Sequence, residues 1–149
     1  MLPFDITLSK KIFSSLSQNK RTWILKLFEN EFQYRKADNL QINEDQLKFK
    51  NSFYKTGSNL NIMLPVDQGI IWLEETTNNE NRVYYNFSLT RIYVLSFVIG
   101  IFAYAASNEW TTTILVALGF LSLNWIVTVL RHKIMFNSLM KKIKFEIEK

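Results

Sequence analysis

The strongest constraint in this chain is a pair of apolar stretches, residues 92–106 and 111–130, joined only by Ser107-Asn108-Glu109-Trp110. Between Ile92 and Leu130 there is no Lys or Arg, and Glu109 is the one ionised side chain. Apolar surface of that extent has to be buried in protein or solvated by lipid. A helix crossing about 30 Å of hydrocarbon needs roughly 20 residues. Residues 111–130 supply twenty, whereas 92–106 supply fifteen and must borrow from 88–91 and from Ser107-Asn108. Arg91 is then expected to snorkel its guanidinium back to the headgroups. A soluble helix of such length carries a polar stripe, and neither stretch shows one. Tyr104 and Trp110 flank the turn and Tyr93 lies near the opposite boundary, positions that amphipathic rings favour at a membrane surface. These features predict a transmembrane helical hairpin over residues 89–131, with its turn at 107–110.

Charge sets the expected orientation. Arg82 and Arg91 precede the hairpin, Arg131, Lys133, Lys141, Lys142 and Lys144 follow it, and the turn has no cation. The positive-inside rule therefore puts both termini in the cytoplasm, with Arg91, Arg131 and Lys133 as cations at the membrane edge. The formal net charge of +5 is uneven: residues 1–91 carry twelve Lys/Arg against ten Asp/Glu, and residues 131–149 carry six against two. The basic excess sits beside the membrane, so no nucleic-acid partner is expected. Frequent Asn, Lys, Ile and Phe suit an AT-rich genome and point to a bacterial inner membrane. The segment Met1-Leu2-Pro3-Phe4-Asp5 has neither the basic nor the apolar region of a secretory signal.

Within the hairpin, Ser96, Gly100 and Tyr104 recur every four residues, and the second helix offers Ala117, Gly119 and Ser122. Small residues let helices approach closely in lipid, so Gly100, Gly119 and Ser122 are expected to pack the hairpin, with a homo-oligomer face as the alternative. Asn124 is the most polar group in the second stretch. Its amide is expected to bond across to the first helix or to a neighbouring protein.

Residues 1–88 read as a small cytoplasmic α+β domain. Ile12, Phe13 and Leu16 suggest a short helix over residues 9–16. Ile24, Leu27, Phe28 and Phe32 repeat at helical spacing and predict an amphipathic helix over 21–35. From Leu40 the period changes to two. Strands are expected at 40–42, 47–50, 69–73 and 83–87, with turns at Asn43-Glu44-Asp45 and Asn78-Asn79-Glu80-Asn81 and a loop around Thr56-Gly57-Ser58-Asn59. Pro65 argues against a central strand at 61–68. The predicted sheet is antiparallel with four or five strands. Behind the hairpin, Phe136, Leu139, Met140, Ile143 and Ile147 recur every three or four residues among lysines. Residues 132–149 should thus form a basic amphipathic helix, continuing the second span and packing on the front domain rather than on lipid.

Chemistry is sparse. With no cysteine there is no disulfide or thiolate nucleophile. The four glycines are isolated, so no phosphate-cradling loop is present. His132, between Arg131 and Lys133, reads as a membrane-edge spectator. No residue set has metal-ligand spacing, and no cofactor is expected. Lys48-Phe49-Lys50 and Phe53-Tyr54-Lys55 interleave cations with aromatics, as single-strand nucleic-acid binders do, yet a strand with core-facing Phe and solvent-facing Lys accounts for the first. The sequence predicts a small, non-enzymatic, two-pass membrane protein: an interaction or accessory module whose partners are membrane lipids and a protein of the membrane or cytoplasm. The alternatives are a pore or channel subunit made of oligomerised hairpins, and a lipid-binding or lipid-modifying protein.

Overall fold

The computed structural model describes residues 4–12, 16–52, 63, 65–76 and 80–148. The chain is α+β. Strands β1 (Asp5–Ile12), β2 (Gln41–Asn43), β3 (Gln46–Lys50), β4 (Gln68–Thr76) and β5 (Glu80–Ser88) form one antiparallel sheet in the order β1-β5-β4-β3-β2. Helix α1 (Gln18–Tyr34) lies between β1 and β2, and helices α2 (Thr90–Ser107) and α3 (Trp110–Ile147) follow β5. The phase of alternation decides the sheet's two faces. Leu47, Phe49, Ile71, Leu73, Val83, Tyr85 and Phe87 point to one side and are buried there. Ile24, Leu25, Phe28 and Phe32 of α1 cover the β3–β4 half of that side, and Met135, Phe136, Leu139, Met140 and Ile143 of α3 complete the same core. The tail thus packs on the front domain.

The expected helix over 9–16 is overturned. Residues 5–12 form β1, paired with β5 from Asp5↔Ser88 to Ile12↔Asn81. Ile6, Leu8, Lys10 and Ile12 share the core-facing side, and Lys10 hides the alternation because its Nζ donates to Asn137 Oδ1 of α3 at 2.9 Å instead of reaching solvent. The turn expected at residues 78–81 shrinks, since Glu80 and Asn81 already belong to β5, and residues 78–79 lie outside the described residues. So do the predicted loop at residues 56–59 and the Phe53-Tyr54-Lys55 motif.

The amphipathic tail continues the second apolar stretch in one helix, as expected. α3 is continuous for 38 residues, about 57 Å at 1.5 Å per residue. Its first half pairs with α2 and its second half enters the front-domain core. α2 and α3 are each long and apolar enough to cross a membrane, and within the most apolar 18-residue window only 22% of α2 and 11% of α3 is buried. The turn between them is closed by side chains. Asn108 takes the left-handed conformation (φ 55°) and caps α2 by donating its N–H to Tyr104 O at 2.7 Å, as Asn readily does at a helix C-terminus. Glu109 then precedes α3, accepting from Thr112 Oγ1 at 3.1 Å through its carboxylate and from Thr113 Oγ1 at 3.0 Å through its carbonyl. The Tyr104 and Trp110 rings meet across the turn, centroids 4.4 Å apart.

One strand position tolerates only glycine. Gly69 sits opposite Phe49 and Phe87 on the core side, and a Cβ there would lie 2.5 Å from the Phe49 ring and 2.9 Å from the Asn86 carbonyl oxygen. Gly69→Ala is expected to cost about 1–3 kcal/mol by overpacking, measured as a lowered unfolding midpoint in detergent; an unchanged midpoint would contradict this packing.

Candidate functional site

The junction where the sheet feeds the hairpin is built around Arg91. β5 ends at Ser88 and α2 begins two residues later, so the first turn of α2 lies against the segment leading into β4. Buried Asn51 fixes that segment: its Nδ2 donates to Met63 O at 2.9 Å and Val66 O at 2.8 Å, while its Oδ1 accepts from the Asp38 N–H at 3.0 Å. Asp67, held next door, accepts from the Arg91 backbone N–H through Oδ2 at 2.8 Å and so satisfies an orphan donor at the start of α2. Its Oδ1 lies 3.5 Å from Arg91 Nε, and the guanidinium also donates to Ser52 O at 2.7 Å. Burial raises the Asp67 pKa, and the Arg91 N–H and then the guanidinium charge offset part of that rise. Arg91 is only 5% exposed. The expectation that it snorkels to headgroups is therefore corrected: it turns back into the front domain, where a carboxylate and a carbonyl solvate it.

His132 is likewise corrected from an edge spectator to a core residue. It is fully buried, its ring is stacked on Phe87 at a centroid distance of 4.5 Å, and its Nδ1 lies 2.7 Å from Tyr85 Oη. Burial pushes the Tyr85 pKa well above the usual value of about 10. The phenol therefore stays protonated, and Tyr85 Oη and His132 Nδ1 share a hydrogen bond. This bond ties β5 to α3 where the helix leaves the core. Its only sequence signal was the heptad-like spacing that puts residue 132 on the same face as Phe136, Leu139 and Ile143.

Inside the hairpin the small residues divide. A Cβ at Gly100 would meet Ala117 Cβ at 3.3 Å, so Gly100 marks the close approach of α2 and α3. Gly119 has no neighbour within 4 Å of such a Cβ and does not mark a close approach to α2, contrary to expectation, while Ser122 is exposed in a shallow hollow beside Tyr93 of α2. Asn124 Nδ2 donates to Phe120 O of its own helix at 2.8 Å, so the expected bond to the first helix is not made. Lys133 is exposed and Arg131 half-buried. Arg131, Arg91 and Asn124 come together along one cleft of about 500 Å³ between α2, α3 and the loop at Pro65, walled by Ile92, Leu95, Phe120, Leu123 and Val127.

The second feature is the outer sheet face, opposite α1 and α3. Trp72 and Tyr84 are paired across β4 and β5 and stack with centroids 4.9 Å apart and an 8° interplanar angle. Arg82 lies over the Tyr84 ring at 5.9 Å. Ile70 extends the apolar strip toward a hollow of about 510 Å³ lined by Gln41, Lys48, Lys50, Gln68 and Asn86. Among the described residues, no helix covers this face. Lys48 faces outward and Phe49 inward, the second packing edge-on to Phe32 at 5.0 Å.

Two substitutions test the junction. Asp67→Ala removes a helix cap and the carboxylate facing buried Arg91, and is expected to cost about 2 kcal/mol of stability in denaturant titration, with Asp67→Asn costing less because it keeps an acceptor. Tyr85→Phe removes the hydrogen bond between Oη and buried Nδ1 and is expected to cost about 1–3 kcal/mol at neutral pH. Because the folded-state Tyr85 pKa lies above its unfolded value, stability is fully present below about pH 10 and falls as pH rises toward the folded value. The Tyr85→Phe variant should show a shallower alkaline loss than the parent; an equally steep loss would contradict the buried phenol.

Comparison with protein-family models, with curated proteins and with solved structures finds no match to this chain.

Proposed function

We propose that this chain is a small, non-enzymatic, two-pass membrane protein in which the hairpin of α2 and α3 anchors a cytoplasmic α+β domain, and that the domain's open sheet face docks a protein partner. The observation that carries the docking role is the half-buried Trp72–Tyr84 stack, which no helix covers among the described residues, flanked by Ile70 and Arg82 on the face opposite the core. Trp, Tyr and Arg dominate the energetics of protein interfaces, since rigid rings bury large area at little entropic cost. Lys11, Lys48 and Lys50 share this face with Glu74 and Glu80, giving a polar rim of mixed sign suited to protein rather than to a polyanion.

Membrane placement is supported by where the exposed apolar side chains lie. Phe97, Phe102, Leu115, Leu118 and Leu123 are each more than half exposed, and nearly all such side chains among the described residues fall between Val94 and Leu130. An apolar surface on that scale is incompatible with water, and the helices bearing it have the length a bilayer requires. With no cation between Ile92 and Leu130 and basic residues on the front-domain side, the positive-inside rule places that domain and both termini in the cytoplasm.

The docking role is tested by mild-detergent affinity purification from native membranes, comparing the parent with a Trp72→Ala/Tyr84→Ala double variant whose unfolding midpoint is checked in parallel. Loss of two anchoring rings should cut recovery of a co-purifying protein by about tenfold or more. Recovery unchanged in the double variant, or a parent chain that emerges alone at every detergent concentration, would refute it.

A further inference from the structure

We infer that the hairpin-side end of the front domain is itself a lipid-contacting surface, with the Tyr34 ring among the headgroups and Lys48 and Lys50 facing anionic phospholipid. The inference goes beyond the docking role, which uses the aromatic strip farther along the sheet, and rests only on the membrane placement of α2 and α3.

Height comes first. A row of hydrogen bonds crosses this end of the domain from α1 to β5. The Asp38 N–H donates to Asn51 Oδ1 at 3.0 Å, the Asn51 N–H to Asp67 O at 2.7 Å, and the Asp67 N–H to Ser88 O at 3.1 Å. The turn behind α1, the end of β3 and the end of β5 therefore share one level. Phe87, next to Ser88, stacks on His132 at 4.5 Å. His132 is two residues past Leu130, where the apolar stretch ends, or about 3 Å along the helix. A headgroup layer is about 5–7 Å thick on each side of the hydrocarbon. In the proposed placement the row falls within that layer.

The one large hydrophobic side chain left exposed by the front domain lies at this level. Tyr34 ends α1, four residues ahead of Asp38, and is 83% exposed. Every other exposed large hydrophobic among the described residues belongs to α2 or α3. A ring with a hydroxyl tip suits the boundary between hydrocarbon and headgroups, where one end is apolar and the other wet.

Charge selects the lipid. Lys50 pairs with Gln68 and Gln68 with Ser88, so Lys50 belongs to the same row, and Lys48 stands two residues farther out, about 7 Å. Both lie within about one Debye length of the surface. They are exposed beside the hollow on the outer face, and among the described residues neither is in an ion pair. Nearby carboxylates are engaged or distant. Asp38 Oδ2 accepts from the Ser52 N–H at 3.2 Å, Asp67 faces Arg91 at 3.5 Å, and Asp5 is three strands from Lys50, about 14 Å. Glu74, of the mixed rim, is six residues up β4 from Gln68, about 20 Å. Near the membrane the rim is therefore cationic, which an anionic leaflet attracts.

The test is lipid quenching of a single fluorophore in the full chain, which has no native cysteine. Tyr34→Cys carries a bimane, whose ring stands in for the phenol. The protein is reconstituted in phosphatidylcholine vesicles doped with phosphatidylglycerol or phosphatidylcholine bearing a nitroxide on the acyl chain next to the headgroup. We expect quenching by both lipids, stronger for phosphatidylglycerol by about fivefold or more, the factor that one lysine near an anionic surface contributes. A probe at Glu44→Cys, in the β2–β3 turn at the far end, should not be quenched. Lys48→Gln/Lys50→Gln should reduce the preference about fivefold. Lys141→Gln/Lys142→Gln, which removes equal charge from exposed positions beginning eleven residues past Leu130, should leave it intact. Three results would each overturn the lipid contact alone: a Tyr34→Cys probe quenched no more than Glu44→Cys, equal quenching by the two lipids, or equal losses for the two lysine pairs. No quenching at Leu118→Cys within the hairpin would overturn the membrane placement with it.

Discussion

A single helix has to satisfy two solvents. The 38 residues of α3 run without a break from the outer turn to the middle of the front-domain core. Over its first half the exposed side chains are Ile114, Leu115, Leu118, Leu123 and Ile126, which only lipid or another apolar surface solvates. Over its second half Phe136, Leu139, Met140 and Ile143 are buried against the sheet, while Lys141 and Lys142 face water. Because a helix is stiff over this length, the orientation of the front domain is tied to that of the hairpin. The proposed role of the sheet face follows from that coupling.

The changeover between the two environments is where the polar chemistry collects. Arg91 meets Asp67 and Ser52, and the buried His132, next to Arg131 in the chain, meets Tyr85. Each is a charged or polar side chain taken out of water and given a partner, because an unpartnered one costs more than the bond returns. Both lock secondary elements together: the first joins the β4 lead-in to the start of α2, the second joins β5 to α3. In the proposed membrane placement, such a joint holds the domain at a fixed height and angle, which suits a docking surface better than a flexible tether does.

Much of this architecture was legible in the residues themselves. Ile24, Phe28 and Phe32 at helical spacing marked α1, and the alternation at 47–50 and 83–87 marked β3 and β5. The apolar stretches and their turn marked α2 and α3. What misled was any residue whose partner is distant in sequence. Lys10 broke the alternation of β1 because Asn137, more than a hundred residues on, supplies its acceptor. Arg91 looked like an edge cation because nothing near it announces Asp67, and His132 looked solvated because its neighbours in sequence are charged while its neighbours in space are Tyr85 and Phe87. Gly119 and Gly100 are chemically identical in the sequence, and only the rotation of α3 about its axis decides that Gly100 touches the partner helix.

The most direct measurement of whether lipid solvates the hairpin exploits the absence of native cysteine. Single cysteines are introduced at the outer turn, as Glu109→Cys, and on the sheet, as Ser9→Cys, and intact cells are treated with a membrane-impermeant maleimide. The proposed arrangement predicts labelling of Glu109→Cys alone, with Ser9→Cys reacting only after the membrane is permeabilised. Labelling of both positions to the same extent in intact cells, or recovery of the chain in the soluble fraction, would contradict it.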